Sequence, residues 1–168
     1  MTQPAQQLEL FSGNLSGKKA PAKRVNIVSL KMVRESSILY PDRNIRSPQH
    51  AVKLLQHFLQ DADREYFLVV CLDTKNQVNS ITTCHIGTLN ASVVHPRECF
   101  KTAILSNAAS IIVAHNHPSG NTTPSPEDLS VTKRLKEAGE LLGVELLDHL
   151  IIAGNDFCSL KESGYLQK

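Results

Sequence analysis

"AASIIVAHNHPSGNTTPSPED", residues 108–128, begins as an apolar run, continues as a loop rich in turn-forming residues and ends in an acid. The run Ala108–Ala114 predicts a strand buried within a sheet, because it is short, largely apolar and rich in β-branched residues. Pro118 ends strand pairing, and Gly120 allows the chain to reverse. The two histidines of the "HNH" tripeptide are therefore expected at the carboxyl end of a buried strand.

A helix and a second strand are predicted after this loop. Ser125 is expected to be the N-cap residue of the helix, with Asp128 as its third residue. The amphipathic pattern continues to about Gly143, and Glu145–Ala153 predicts a further central strand. Together these elements form one βαβ unit, which makes the two strands parallel. The predicted inward stripe of the helix comprises Leu129, Thr132, Leu135 and Leu142.

The remaining elements are predicted on the amino-terminal side of this unit. The pattern predicts a strand at Val25–Arg34 and a helix from Pro48 to about Asp61. Antiparallel strands are predicted at Tyr66–Leu72 and Val78–His85. A further helix is predicted from Pro96 to about Ser106, with Phe100, Ala103 and Ile104 facing inward. This order of elements predicts an α/β (α+β) fold, with a mixed β-sheet flanked by helices.

The composition limits the class of protein. With 168 residues, 41% hydrophobic and 20% charged, the chain is expected to form one soluble domain with a substantial core. No apolar run approaches the roughly 20 residues that span a bilayer, and the polar N-terminus lacks a signal pattern, so we expect a cytoplasmic protein without membrane association. The four cysteines form no CxxC pair and are expected to be reduced thiols.

The basic charge is concentrated at the amino terminus. Residues 1–24 carry four basic residues and one acidic residue, a net charge of +3, whereas the whole chain carries +2. Residues 25–168 therefore carry −1, which argues against a dedicated duplex-binding surface. We interpret residues 1–24 as a flexible leader, which could make weak contact with nucleic acid, and residues 25–168 as the folded domain.

The histidines and the acid predict a metal site. His115 and His117 point to the same side of an extended chain, and Asp128 lies in the first turn of the following helix. Two neutral imidazoles and one carboxylate are a three-ligand zinc set, which leaves a fourth position for water, as in catalytic zinc sites. The alternative is a pair of ordinary loop histidines followed by a capping box of Ser125 and Asp128. The combination favours one zinc ion per chain.

Three stretches resemble a known family. The pattern HxHPSG followed by PSxxD resembles the JAMM motif of the JAB1/MPN metalloprotease superfamily, which has a cytidine-deaminase-like fold. The stretches "GTLNASVVHPRE" (87–98), "AHNHPSGNTTPSPED" (114–128) and "LLDHLIIAG" (146–154) are similar to its bacterial RadC (UPF0758) branch. Nothing in the chain looks like the helix-hairpin-helix-type region that RadC proteins usually carry. The resemblance is therefore to the JAB1/MPN module alone, as in short mobile-element or phage-associated relatives.

The resemblance also assigns roles to individual residues. It implies that His115, His117 and Asp128 bind zinc and that Ser125 assists the reacting carbonyl. It further implies a glutamate that holds the zinc-bound water. "REYFLVVCLD", residues 64–73, is similar to the stretch in which the superfamily keeps this glutamate, so Glu65 is preferred for it. The other candidates are Glu98 and Glu35.

These residues together predict hydrolysis of an amide or isopeptide bond in an unknown peptide or protein. One alternative is a DNA-repair-associated accessory protein that binds DNA or a protein partner without hydrolysis. Another is an inactive metal-binding scaffold. A zinc deaminase is disfavoured, because its PCxxC and HxE motifs are absent. Asp148 and His149 remain open: either could hydrogen-bond a metal ligand, or the pair could be purely structural. The oligomeric state also remains open.

Overall fold

The computed structural model describes residues 23–41, 43–59, 62–87 and 94–166, so most of the predicted leader lies outside the described residues. The helices are α1 (Pro48–Leu59), α2 (Pro96–Leu105) and α3 (Pro126–Leu142), and the strands are β1 (Tyr66–Leu72), β2 (Val78–Ile86), β3 (Ser110–Asn116), β4 (Glu145–Ala153) and β5 (Asp156–Ser159). They form a five-stranded sheet in the order β2-β1-β3-β4-β5. Only β3 and β4 pair in parallel, so the predicted mixed sheet flanked by helices is confirmed.

The sheet is covered on both faces, which makes three layers. Alternate residues of β1 enter different cores, because successive side chains of a strand point to opposite faces. Leu68 and Val70 pack with α1, whereas Phe67 and Val69 pack with α2 and α3. This double burial explains why β1 is apolar at every position and could be identified without alternation.

The predicted βαβ unit is present. Ser125 caps α3, and Gly143 ends the helix in the left-handed conformation, with φ of 69°. β4 begins two residues later, so the chain returns to the sheet beside β3. This connection places the first turn of α3 at the carboxyl end of β3, where ligands of such sheets gather.

Three expectations about the elements are wrong or incomplete. Val25–Arg34 is not a strand: residues 23–39 are all exposed, and alternation alone forms no strand without an edge to pair with. Ile104 and Leu142, both expected to face inward, are 55% and 49% exposed, since each lies in the last turn of its helix, where the neighbouring elements leave it uncovered. β5 was not predicted, because four residues are too few to show a period.

The cysteine expectation is consistent with the structure, in which all four thiols are free. Cys71 and Cys99 are buried, and Cys84 and Cys158 are partly exposed. Among the described residues, none of the helices combines the length and the apolar character that a membrane crossing would require.

Gly139 is the point of closest approach between α3 and the start of β4. A methyl group there would lie 2.5 Å from the backbone oxygen of Val144 and 3.2 Å from Cζ of Phe100. We expect Gly139→Ala to lower the free energy of unfolding by about 1–3 kcal/mol in urea denaturation, because a packed backbone cannot give way cheaply. Ser130→Ala, at an exposed position of the same helix, is the control and should change little. A Gly139→Ala protein as stable as the control would contradict this packing.

Candidate metal centre

The three predicted ligands meet where β3 ends and α3 begins. His115 lies in β3, His117 directly follows the strand, and Asp128 is in the first turn of α3. The Nε2 atoms of the two histidines are 2.9 Å apart. His115 Nε2 lies 3.2 Å from Asp128 Oδ1, and His117 Nε2 lies 3.6 Å from Asp128 Oδ2. His115 and Asp128 are buried, and His117 is the member of the group that reaches the surface.

The capping box orients the carboxylate of Asp128. The backbone N–H of Ser125 donates to Asp128 Oδ2 at 2.8 Å, and the backbone N–H of Asp128 donates to Ser125 Oγ at 3.1 Å. Burial pushes the pKa of Asp128 upward, but without a metal ion a proton on His115, together with the hydrogen bonds from Ser125, outweighs burial and holds the pKa below its ordinary value. The carboxylate is therefore charged and oriented towards the histidines, so one residue can serve both the capping box and a metal site.

His117 presents a lone pair to this group. Its Nδ1 lies 2.7 Å from the backbone oxygen of Asn121. A carbonyl oxygen can only accept, so Nδ1 of His117 carries the proton and donates it. In the neutral ring, Nε2 is then unprotonated and available as a ligand.

A buried chain of hydrogen bonds fixes which ring nitrogen of His115 carries the proton. The Thr132 hydroxyl donates to the backbone oxygen of Asp128 at 2.6 Å, so its oxygen must accept from Nδ1 of His149, 2.6 Å away. Burial is the main cause, and the nearby His115 the second, that lowers the pKa of His149 well below its ordinary value. The ring is therefore neutral, and with its proton on Nδ1 its Nε2 can only accept. Nδ1 of His115 therefore donates to that Nε2 at 2.8 Å, which in the neutral ring leaves the Nε2 of His115 as an acceptor.

This donor and acceptor inventory fits a metal ion. Two unprotonated imidazole nitrogens and a carboxylate converge, with their ligand atoms all within 4.8 Å of one another. Lone pairs at such distances repel unless a proton or a metal cation lies between them. Among the described residues, no fourth histidine, cysteine, aspartate or glutamate joins the group. Three protein ligands of this kind are typical of a catalytic zinc site.

Apolar packing holds the inner side of the centre. The ring of Phe67 stacks on His115 with centroids 6.2 Å apart, and its edge meets His149 at 5.6 Å. Phe67 is fully buried and pairs with His115 across β1 and β3. The low polarity on this side strengthens electrostatic interactions within the centre.

Glu65 lies on the rim of a surface cleft of about 600 Å³ that His117, Pro118 and Gly87 also line. Its main chain is held on both sides by Asn116. The Asn116 amide accepts from the backbone N–H of Tyr66 at 2.7 Å and donates to the backbone oxygen of Arg64 at 2.9 Å. The residue between the two histidines thus positions the segment that carries Glu65. The sequence reasoning missed Asn116, although a buried amide at a strand end is itself a signal, since it requires partners.

The other acidic candidates lie elsewhere. Glu98, in the first turn of α2, forms ion pairs with Lys101 and Arg97. Lys101, then Arg97, holds the pKa of Glu98 below its ordinary value. Glu35 lies in the exposed amino-terminal segment, outside every described helix and strand.

Asp148 and His149 separate into two roles. Asp148 accepts from Ser159 Oγ at 2.6 Å and from the backbone N–H of Lys161 at 3.0 Å, so it ties β4 to the chain around the end of β5. Burial raises the pKa of its carboxyl group. Of the pair, only His149 contacts a predicted ligand, His115.

Comparison with known proteins identifies the domain. A family model described as "RadC-like JAB domain" matches residues 45–165. The chain belongs to this family. The RadC-like JAB domain places it in the JAB/MPN superfamily, as the sequence resemblance implied, and its match begins just before α1 and ends after β5.

Relatives occur in bacteria and archaea. A UPF0758 protein of Desulforamulus reducens is 57% identical over 122 residues, which cover 73% of this chain and 54% of the relative. A UPF0758 protein of Desulfitobacterium hafniense is 45% identical over 160 residues, which cover 95% of this chain and 70% of the relative. One of Methanosarcina barkeri is 41% identical over 151 residues, covering 90% and 66%. The chain thus spans between about half and 70% of the length of these curated relatives.

Thr132 tests the hydrogen-bond chain behind the centre. Thr132→Val keeps the shape of the side chain but leaves His149 without its acceptor, so the orientation of His115 is no longer fixed. We expect zinc affinity, measured by competition with a chromogenic chelator, to fall about 10–100-fold. Thr123→Val, at an exposed position of the loop before α3, is the matched control and should keep wild-type affinity. Equal affinities in the two variants would show that the chain does not orient His115.

Proposed function

We propose that this domain is a zinc-dependent hydrolase of the JAMM type that cleaves an amide or isopeptide bond in a peptide or protein. The observation that supports this most is the convergence of three acceptor atoms, from His115, His117 and Asp128, beside a cleft that Glu65 lines. These three residues would hold the metal. A bound zinc ion supplies a Lewis acid that polarises a carbonyl and lowers the pKa of water towards about 7.

Glu65 is proposed as the general base and acid. A carboxylate on the rim of the cleft can take a proton from the attacking water and return it to the leaving amine. The Asn116 clamp on Arg64 and Tyr66, and the bond from the Gly87 N–H to the backbone oxygen of Glu65 at 2.8 Å, hold this segment in place. Such positioning supports a role that depends on short hydrogen-bond distances to substrate.

Ser125 is proposed to stabilise the oxyanion. Its oxygen accepts the N–H of Asp128, but the hydroxyl proton is not used in that bond. Ser125 is also only partly buried, so the proton can be donated to a bound substrate. A hydrogen bond to the developing negative charge is worth most when the donor is held in place before the reaction, as the capping box holds this one.

The proposed substrate is a peptide segment. The cleft of about 600 Å³ is in the range of sites that hold small ligands or a few residues of chain. It is lined by Ser119 and by the ion pair of Asp63 and Arg64 in addition to Glu65, so its surface is polar, as suits contact with a peptide main chain.

A non-hydrolytic RadC-type accessory role is the second candidate. The charge distribution favours the amino-terminal segment for any nucleic-acid contact, since residues 1–24 carry +3 and the rest of the chain −1. Under that proposal, DNA affinity would fall steeply with salt, and removal of residues 1–24 would abolish it.

Metal analysis tests the ligand set. The purified protein, never exposed to chelator, is expected to contain about one zinc ion per chain by mass spectrometric elemental analysis, because the acceptor atoms require a cation. His117→Ala removes a ligand that lies at the surface and should lose the metal while the fold is retained. Wild-type protein without a transition metal would refute the proposed function.

Glu65→Gln separates a proton-transferring role from a ligand role. The substitution preserves shape but cannot take up the proton of the water, so hydrolysis of a cleaved peptide should fall at least about 100-fold with zinc content unchanged. Asp63→Asn alters another acid of the same cleft and should keep most activity. Loss of zinc in Glu65→Gln would make Glu65 a ligand, and unchanged turnover would exclude it as the base.

A further inference from the structure

The extended segment of residues 23–39 exposes an unusual amount of apolar surface. Every residue in it is exposed, and none belongs to a helix or strand. It contains eight of the fourteen exposed large hydrophobic residues found among the described residues, with exposures between 46% and 104%. These are Val25, Ile27, Val28, Leu30, Met32, Val33, Ile38 and Leu39. Such a concentration in a soluble protein marks a surface that is covered by a partner.

The same chain also has an open sheet edge. β2 is the outer strand of the sheet, and its pairing on the outer side stops at its first residues, where Val78 donates to the backbone oxygen of Arg43 at 2.9 Å and Asn44 bridges Gln77. Beyond that point, no strand in the described part of the chain pairs with the outer edge of β2. An unpaired edge is a template for an additional strand.

The segment and the edge match in length and pattern. The stretch Val25–Val33 has nine residues with the β-branched and alternating character of a strand, and β2 has nine residues. The opposite edge of the sheet, β5, has only four. Strand addition at β2 would give the segment both a hydrogen-bonding partner and cover for one of its apolar faces.

We propose that residues 25–33 of one copy add as a strand to the β2 edge of a second copy, so that two copies exchange strands in a dimer. Each copy carries the strand that the edge of the other copy lacks. In a single copy, Ile38, Leu39 and Tyr40 line a cavity of about 260 Å³ together with residues of α1 and β2, and the chain before them extends into solvent instead of following the edge.

Area and charge both favour a second copy. Residues 25–33 contain six of these side chains, and at about 60–120 Å² each their burial would cover on the order of 350–700 Å² per copy, which approaches the roughly 800 Å² per partner of a stable interface. Residues 23–39 contain four basic residues and one acidic residue, a net charge of +3, whereas residues 40–168 contain twelve basic and fourteen acidic residues, a net charge of −2. The segment is thus electrostatically complementary to the body of another copy.

Sedimentation velocity of the full chain at concentrations from about 1 to about 100 µM tests the dimer. Wild type is expected to dimerise. The double substitution Ile27→Lys with Leu30→Lys should raise the dissociation constant of the dimer at least about 100-fold. Val28→Pro, which removes one strand amide, should act in the same direction. All three side chains are exposed in the single copy, so these variants are expected to fold and to retain metal. Leu141→Lys, at a 90% exposed position of α3, is the control and should dimerise like wild type.

Hydrogen exchange locates the contact. The β2 amides of wild type should become protected as the dimer forms and should lose that protection in the double variant. The proposal is overturned if the wild type stays monomeric at every concentration. This holds if the amides of residues 25–33 remain unprotected, if they are protected within a monomer, or if the segment is bound only in the presence of DNA. A dimer that persists in the double variant, or one that leaves β2 unprotected, also overturns it.

Discussion

A charged carboxylate and two imidazole nitrogens meet at the junction of β3 and α3, and the surroundings are arranged to make this contact tolerable. Asp128 is almost fully buried, and in the neutral rings of His115 and His117 the nitrogens that face it carry lone pairs. Buried charge is costly without a partner of opposite sign. The arrangement is therefore compatible with a bound cation, and the capping box of Ser125 and the bonds behind His115 and His117 keep the three groups from turning away from one another.

The fold meets this requirement through one βαβ unit. β3 and β4 are neighbours and parallel, so His149 lies beside His115, and the first turns of α3 lie across the carboxyl end of β3. Asp128 and Thr132 are four residues apart on α3, so one face of the helix carries both a ligand and the acceptor at the end of the hydrogen-bond chain. A displacement of α3 would thus move Asp128 directly, and through Thr132 and His149 it would also disturb His115.

Strand alternation links the centre to the cleft. His115 and His117 point to the α3 side of the sheet, and Asn116 points the other way, where it holds the chain on both sides of Glu65. The tripeptide "HNH" therefore sets the position of the proposed base as well as two ligands. Because β1 is paired with β3, the entry of β1 and the exit of β3 lie side by side at the same edge of the sheet.

The sequence by itself predicted most of the elements and the three residues that the structure brings together as a candidate ligand set. Two histidines at strand spacing and an acid in the first turn of a capped helix are local patterns, so residues 115–128 could be interpreted from propensity and periodicity alone. Only the tertiary structure decided the role of His149, the clamp of Asn116 and the separation of Asp148 from the metal centre, because each depends on which strand lies beside which. The same reason explains the error at Val25–Arg34: its alternation gives it a capacity to pair, but a strand forms only where the segment pairs with a neighbouring strand, and in the single copy it pairs with none of the described strands.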